Sequence, residues 1–119
     1  MHKAGITVGM TQVFLRDAEA ILDENDLFAL AAYLACNPKA GDIIPRTGGV
    51  RKLRWKLAGR GKRGGARVIY FYYDQEIPLY VFAIYAKNEK DDLNAQEKKE
   101  LQSLTREIVA SRKRKRKAS

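Results

Sequence analysis

Apolar and polar positions change their period twice along this 119-residue chain, and each change marks a different kind of element. Thr11 to Leu15, rich in β-branched and aromatic residues, reads as a short first strand. Asp17 to Leu22 reads as a brief helix. Leu27, Leu30, Ala31 and Leu34 then recur at i, i+3, i+4 and i+7, the period of a helix with one apolar face. Asp23 fits its N-cap, Glu24 and Asp26 in the first turn suit the helix dipole, and Asn37-Pro38 stops it. A loop with Gly41, Pro45, Gly48 and Gly49 follows.

Beyond that loop the period drops to two. Lys52, Arg54 and Lys56 alternate with Leu53, Trp55 and Leu57, which predicts a strand with one buried and one basic face. Val68 to Tyr73 and Leu79 to Ala86 read as two more strands, joined by a turn at residues 74–78. Asn94, with Glu97 three residues on, opens a last helix whose face runs through Leu101, Leu104 and Ile108. The order β-α-(α)-β-β-β-α predicts an α+β fold: a small, mainly antiparallel sheet with helices packed on one face. The length suits one domain, over residues 1–110, with a disordered basic tail at 111–119.

Charge changes the picture more than length does. The net charge is +9, yet residues 1–45 carry three basic and six acidic side chains. Residues 46–73 carry nine basic side chains and no acidic one, although the chain has 14 carboxylates elsewhere. A positive patch concentrated in this way is the footprint of a polyanion partner, against the plainer reading of a solvated basic surface. The longest apolar run, Leu27 to Cys36, is about half of what a membrane span requires, and no basic-then-apolar leader pattern opens the chain. Cys36 is the only cysteine, so no intrachain disulfide forms, a reducing cytoplasmic setting is expected, and Cys36 is expected to be a buried core thiol. With His2 as the only histidine, no zinc site, Cys-His pair, Ser-His-Asp triad or two-histidine nuclease centre can be built. No metal or cofactor is expected.

Gly59-Arg60-Gly61-Lys62-Arg63-Gly64 matches the spacing of a dinucleotide fingerprint, but that fingerprint opens a helix, and a strand follows here. The segment reads instead as a basic hairpin tip. Its glycines let backbone approach phosphate, and Arg60, Lys62 and Arg63 supply charge. On the basic strand, like-charge crowding disfavours an ammonium, which makes Lys52 or Lys56 a candidate general base without histidine; the plainer reading is phosphate contact alone. The aromatics of the last two strands are mostly core, with one or two at strand ends free to stack on bases. Tyr85, Lys87 and Asn88 gather a phenol, an ammonium and an amide near the last strand's end. The run Arg112 to Lys117 reads as a frayed tail adding nonspecific affinity.

Four blocks resemble the RelE/HigB toxin family, and its HigB-like branch in particular. They are Asn37 to Pro45, Thr47 to Arg54, Gly61 to Tyr70, and Ile84 to Leu93. The resemblance covers roughly residues 11–110; Arg46 stands where the family pattern leads one to expect glycine. It implies a ribosome-dependent endonuclease that cuts mRNA in the ribosomal A site and inhibits translation, with the ribose 2′-hydroxyl as metal-free nucleophile. It also implies an antitoxin partner, HigA-like with a helix-turn-helix domain. By family position Lys52, Arg54 and Arg67 are catalytic candidates, Arg67 for phosphate stabilisation, with Tyr85 or Lys87 sharing the work and the proton donor left open. Arg51, Lys56, Arg60, Lys62, Arg63 and Asn88 are RNA-binding candidates. The alternative for Arg67 is pairing with Asp42 or Asp74 merely to hold the loop. The alternatives for the protein are a ParE-type toxin directed at gyrase and a noncatalytic nucleic-acid-binding protein.

Overall fold

The computed structural model describes residues 6–57, 65–86 and 92–118, with side chains through residue 114. Five strands form one sheet: β1 (Val8–Met10), β2 (Asp42–Ile43), β3 (Val50–Trp55), β4 (Ala66–Phe71) and β5 (Leu79–Ala86). Their spatial order is β1-β5-β4-β3-β2, antiparallel throughout except for the parallel edge pair of β1 and β5. Helices α1 (Gln12–Ala18) and α2 (Glu24–Cys36) follow β1, and α3 (Ala95–Ala118) follows β5. The α+β class and the mainly antiparallel sheet are as the sequence predicts.

The first segment differs. Thr11 to Leu15 is not a strand: Thr11 caps α1, its hydroxyl accepting the Phe14 N–H at 3.1 Å. Phe14 and Ala18, four apart, then bury one face of that helix, so helical spacing overrides the β-branched composition. The expected cap of α2 is present as a reciprocal box between Asp23 and Asp26. Leu30 and Leu34 are buried as the period requires, whereas Cys36, two residues beyond Leu34 and off that stripe, is exposed rather than a core thiol.

The helices divide between the two faces of the sheet. Phe14, Leu22, Leu30 and Leu34 of the α1–α2 segment pack on Val68, Tyr70, Leu79, Val81 and Ile84, with Leu53, Trp55 and Leu57 at the margin. The other face takes α3, whose Leu101, Ile108 and Val109 lie against a cluster that includes Val50, Ile69, Phe71 and Phe82. One-sided packing therefore holds for α1 and α2 but not for α3. The inward position of α3 is Thr105 and not Leu104, which is exposed. Thr105 sits where Gly48 leaves room, and its hydroxyl donates to the Thr47 carbonyl at 3.1 Å. Thr47 is itself buried, donating to the Ile44 carbonyl and accepting the Val50 N–H, so the β2–β3 hairpin is bolted to the helix.

Two further details position the site. Pairing of β4 with β5 shifts between Ile69 and Tyr70: Ile69 faces Ala83 while Tyr70 faces Val81, leaving Phe82 as an extra residue. This bulge reverses which residues of β5 face each way. Val81 and Ile84 lie on the α1–α2 side, and Phe82, Ala83 and Tyr85 on the other. The hydroxyl of Thr11 donates to the Phe82 carbonyl at 3.2 Å, tying the bulge to the start of α1. The second detail is α3's length. It continues through residues 111–118 instead of ending near residue 110, and Arg112 forms ion pairs with Asp74 and Glu76 of the β4–β5 turn.

Candidate active site

On β3, strand geometry sends alternate side chains to opposite faces. Leu53 and Trp55 go inward, and the Trp55 ring sits 5.7 Å from that of Tyr33 on α2. Lys52 and Arg54 go to the face that α3 shares. In register, Arg54 lies opposite Arg67 of β4, and Arg67 lies opposite Tyr85 of β5. Arg54, Arg67 and Tyr85 therefore make one row across three adjacent strands. Lys52 stands in the next row, followed by Ile69 and Ala83. If Phe82 were paired in line and not bulged, Ile84 and not Tyr85 would complete the arginine row.

Two arginines directly opposite on one face repel and weaken the pairing they sit on. No carboxylate among the described residues pairs with either; Asp74 is held by Arg112 at the far end of β4, and Asp42 pairs in register with Lys52 on another strand. The buried Nε of Arg67 has no hydrogen-bond partner among the described residues, a state that needs an explanation in a folded protein. An anion lying over the row would relieve both conditions at once.

Lys52 is not crowded only by cations. Its ammonium lies 3.7 Å from the Asp92 carboxylate, which also faces Lys98 of α3 at 4.0 Å. The Leu93 N–H donates to that carboxylate at 2.8 Å and, with the two ammonium groups, holds Asp92 below the ordinary carboxylate range. The sequence offers no sign of this contact, since Asp92 stands in a short acidic run ahead of a helix cap.

Arg51, expected to bind RNA, points the other way. Its guanidinium donates to the carbonyls of Gly41 at 2.7 Å and Lys39 at 3.2 Å, fastening the loop between α2 and β2. Tyr70 holds the same loop from within the core, accepting the Gly41 N–H at 2.8 Å and donating to the Pro38 carbonyl at 2.9 Å. Burial pushes its phenol above the ordinary value of 10.0, against the Gly41 hydrogen bond and Arg51, which pull it down. Lys56 is exposed just past β3. Arg60, Lys62, Arg63, Lys87 and Asn88 lie outside the described residues. The glycine-rich segment returns at Gly65, whose φ of 63° and closeness to the Trp55 carbonyl leave no room for a β-carbon.

The family model described as the RelE toxin of the RelE/RelB toxin–antitoxin system matches residues 12–118. The chain belongs to that family of toxins. Its fold is similar to that of a double arginine-to-alanine variant of the E. coli toxin RelE in the free state, with a TM-score of 0.52 at 13% identity. That match covers 73% of this chain and 88% of the other. Among the described residues no helix is long and apolar enough to cross a membrane.

Proposed function

We propose that this toxin is a ribosome-dependent mRNA endonuclease that works on the small ribosomal subunit, cutting in the A site and so stopping translation. The observation that supports it is the row of Arg54, Arg67 and Tyr85, with Lys52 beside it, on the α3 side of the sheet, running from exposed Arg54 to buried Tyr85. In the proposed reaction the ribose 2′-oxygen attacks the adjacent phosphorus and the bond to the 5′-oxygen breaks. The products are a 2′,3′-cyclic phosphate and a 5′-hydroxyl. Lys52, as the neutral amine released from Asp92, takes the 2′ proton, while Arg54 and Arg67 flank the phosphate and stabilise the charge that grows in the transition state. Tyr85 or Lys87 supplies the proton to the leaving oxygen. No metal ion enters these steps.

The site works in the cytoplasm, where translating ribosomes bring mRNA to it. The HigB-like sequence blocks extend the reading to an antitoxin of HigA type carrying a helix-turn-helix domain. Mapping mRNA 5′ ends after induced expression tests the function. Cuts within translated frames that vanish when initiation is blocked are expected; DNA breaks would indicate a gyrase-directed toxin, and neither outcome a noncatalytic binder.

A further inference from the structure

The described residues contain a second cationic cleft, separate from the arginine row and built from different elements. Arg46, Ala95, Lys98, Lys99 and Gln102 line it, between the tip of the β2–β3 hairpin and the first two turns of α3. Three of these five residues are cations, none is acidic, and the positive end of the α3 dipole lies beneath them. The cleft adjoins the row through one carboxylate, because Asp92 faces Lys98 on one side and Lys52 on the other.

Arg46 is the informative member. It is the one non-glycine among the described residues with a left-handed backbone, at φ 64°. Such a conformation strains any residue with a β-carbon, and strain of this kind gathers where a side chain has work to do. Glycine would serve the turn better if the turn were all that mattered. The hairpin cannot relax to ease the strain, since the next residue, Thr47, is buried and anchored to Thr105. The exposed guanidinium is thus presented over α3 from a fixed hairpin.

We propose that this cleft binds a backbone phosphate of the RNA strand to one side of the scissile one, so that the strand runs from Arg54 past Lys52 and Lys98 to Arg46. The inference rests on the nuclease reading and adds a phosphate site and a direction for the strand. A phosphate reaching Lys98 competes with Asp92 for that ammonium.

Arg46→Gly separates binding from folding because it removes the guanidinium while suiting the backbone. Its melting temperature is expected to equal or exceed that of the parent. Its binding to a short single-stranded RNA is expected to weaken, with the slope of log affinity against log salt lower by about 0.7, the value for one phosphate contact on a single strand. Arg46→Lys is expected to recover most of that slope. An unchanged slope in a folded Arg46→Gly protein overturns the proposal, as does an absence of RNA binding by the unaltered protein. A lower melting temperature for Arg46→Gly would assign the guanidinium to holding the hairpin, and overturns it too. Cleavage by the unaltered protein on mRNA-programmed ribosomes, assayed alongside, reads the nuclease function separately. Absence of cutting there condemns that reading, whereas cutting with an unchanged slope condemns the cleft alone.

Discussion

One face of the sheet is closed by α1 and α2, and the other is closed by α3 over only part of its surface. Under α1 and α2 the strand positions are Leu53, Trp55, Val68, Tyr70, Val81 and Ile84, and the single guanidinium there, that of Arg51, spends its hydrogen bonds on backbone carbonyls. Under α3 the equivalent positions begin apolar with Val50 and Phe71 and turn cationic at Lys52, Arg54 and Arg67. The same strands thus carry a core on one side and, on the other, a second apolar cluster that gives way to Arg54 and Arg67, which have no carboxylate partner among the described residues. If the proposed function holds, the chemistry falls to one side of the sheet, and substitutions on the two sides should have effects of different kinds.

The strongest way to sharpen this contrast is Arg67→Ala. Deleting one preorganised donor to the transition-state charge typically costs about 100- to 1000-fold in rate. Folding should survive, because the substitution removes a buried Nε that has no partner among the described residues and relieves the repulsion with Arg54. Melting temperature and single-turnover cleavage on programmed ribosomes measure the two together. Full activity, or a collapse in melting temperature, would break the division of labour between the faces.

Tyr70→Phe probes the closed face. It strips the Gly41 N–H and the Pro38 carbonyl of their shared partner, and an unpaired buried donor costs about 1–3 kcal/mol. Urea unfolding at neutral pH should show that loss. The pH dependence has a definite sign. Since burial raises the phenol, its contribution is complete below the ordinary value of 10.0 and is lost as pH rises through the higher folded value. The alkaline decline in stability should therefore be shallower in Tyr70→Phe than in the parent.

The smallest effect is expected from Asp92→Asn on the open face. A carboxyl held low by the Leu93 N–H and two lysines adds stability above its ordinary value of 3.8, lost as pH falls through the lower folded value. The carboxylate is half exposed, so solvent screens most of this contribution. Acid unfolding followed by circular dichroism should begin from slightly lower stability in the variant and lose less of it below pH 3.8. An identical acid limb in both proteins would remove Asp92 from the electrostatics of this face.

Much of this contrast can be read along β3 and the two residues after it, where Lys52, Arg54 and Lys56 alternate with Leu53, Trp55 and Leu57. Period-two patterning needs only local chemistry, as does the capping of α2 by Asp23 and of α3 by Asn94. Other features depend on partners far away in sequence. Thr11 to Leu15 has strand-like composition, and only Phe14 and Ala18 settling into the core make it helical. Leu104 and Thr105 exchange roles because Gly48, in a hairpin distant along the chain, admits the threonine. The side to which Arg51 points follows from parity along β3, but its use as a loop fastener requires the carbonyls of Lys39 and Gly41. The Asp92 contacts with Lys52 and Lys98 join separate elements and leave no mark in any one of them.

Phe82 shows how much can hang on a residue that does no chemistry. Because strand parity is binary, an extra position must either turn every downstream residue of β5 over or be absorbed, and the bulge at Phe82 absorbs it. Losing Phe82 would restore plain alternation with Tyr85 still opposite Arg67, whereas an insertion that β5 could not absorb as a bulge would turn its downstream residues over. The bulge can also mislead comparison between relatives. A relative without the extra residue, aligned with no gap at Phe82, would have the residue opposite its arginine set against Ile84 and not Tyr85.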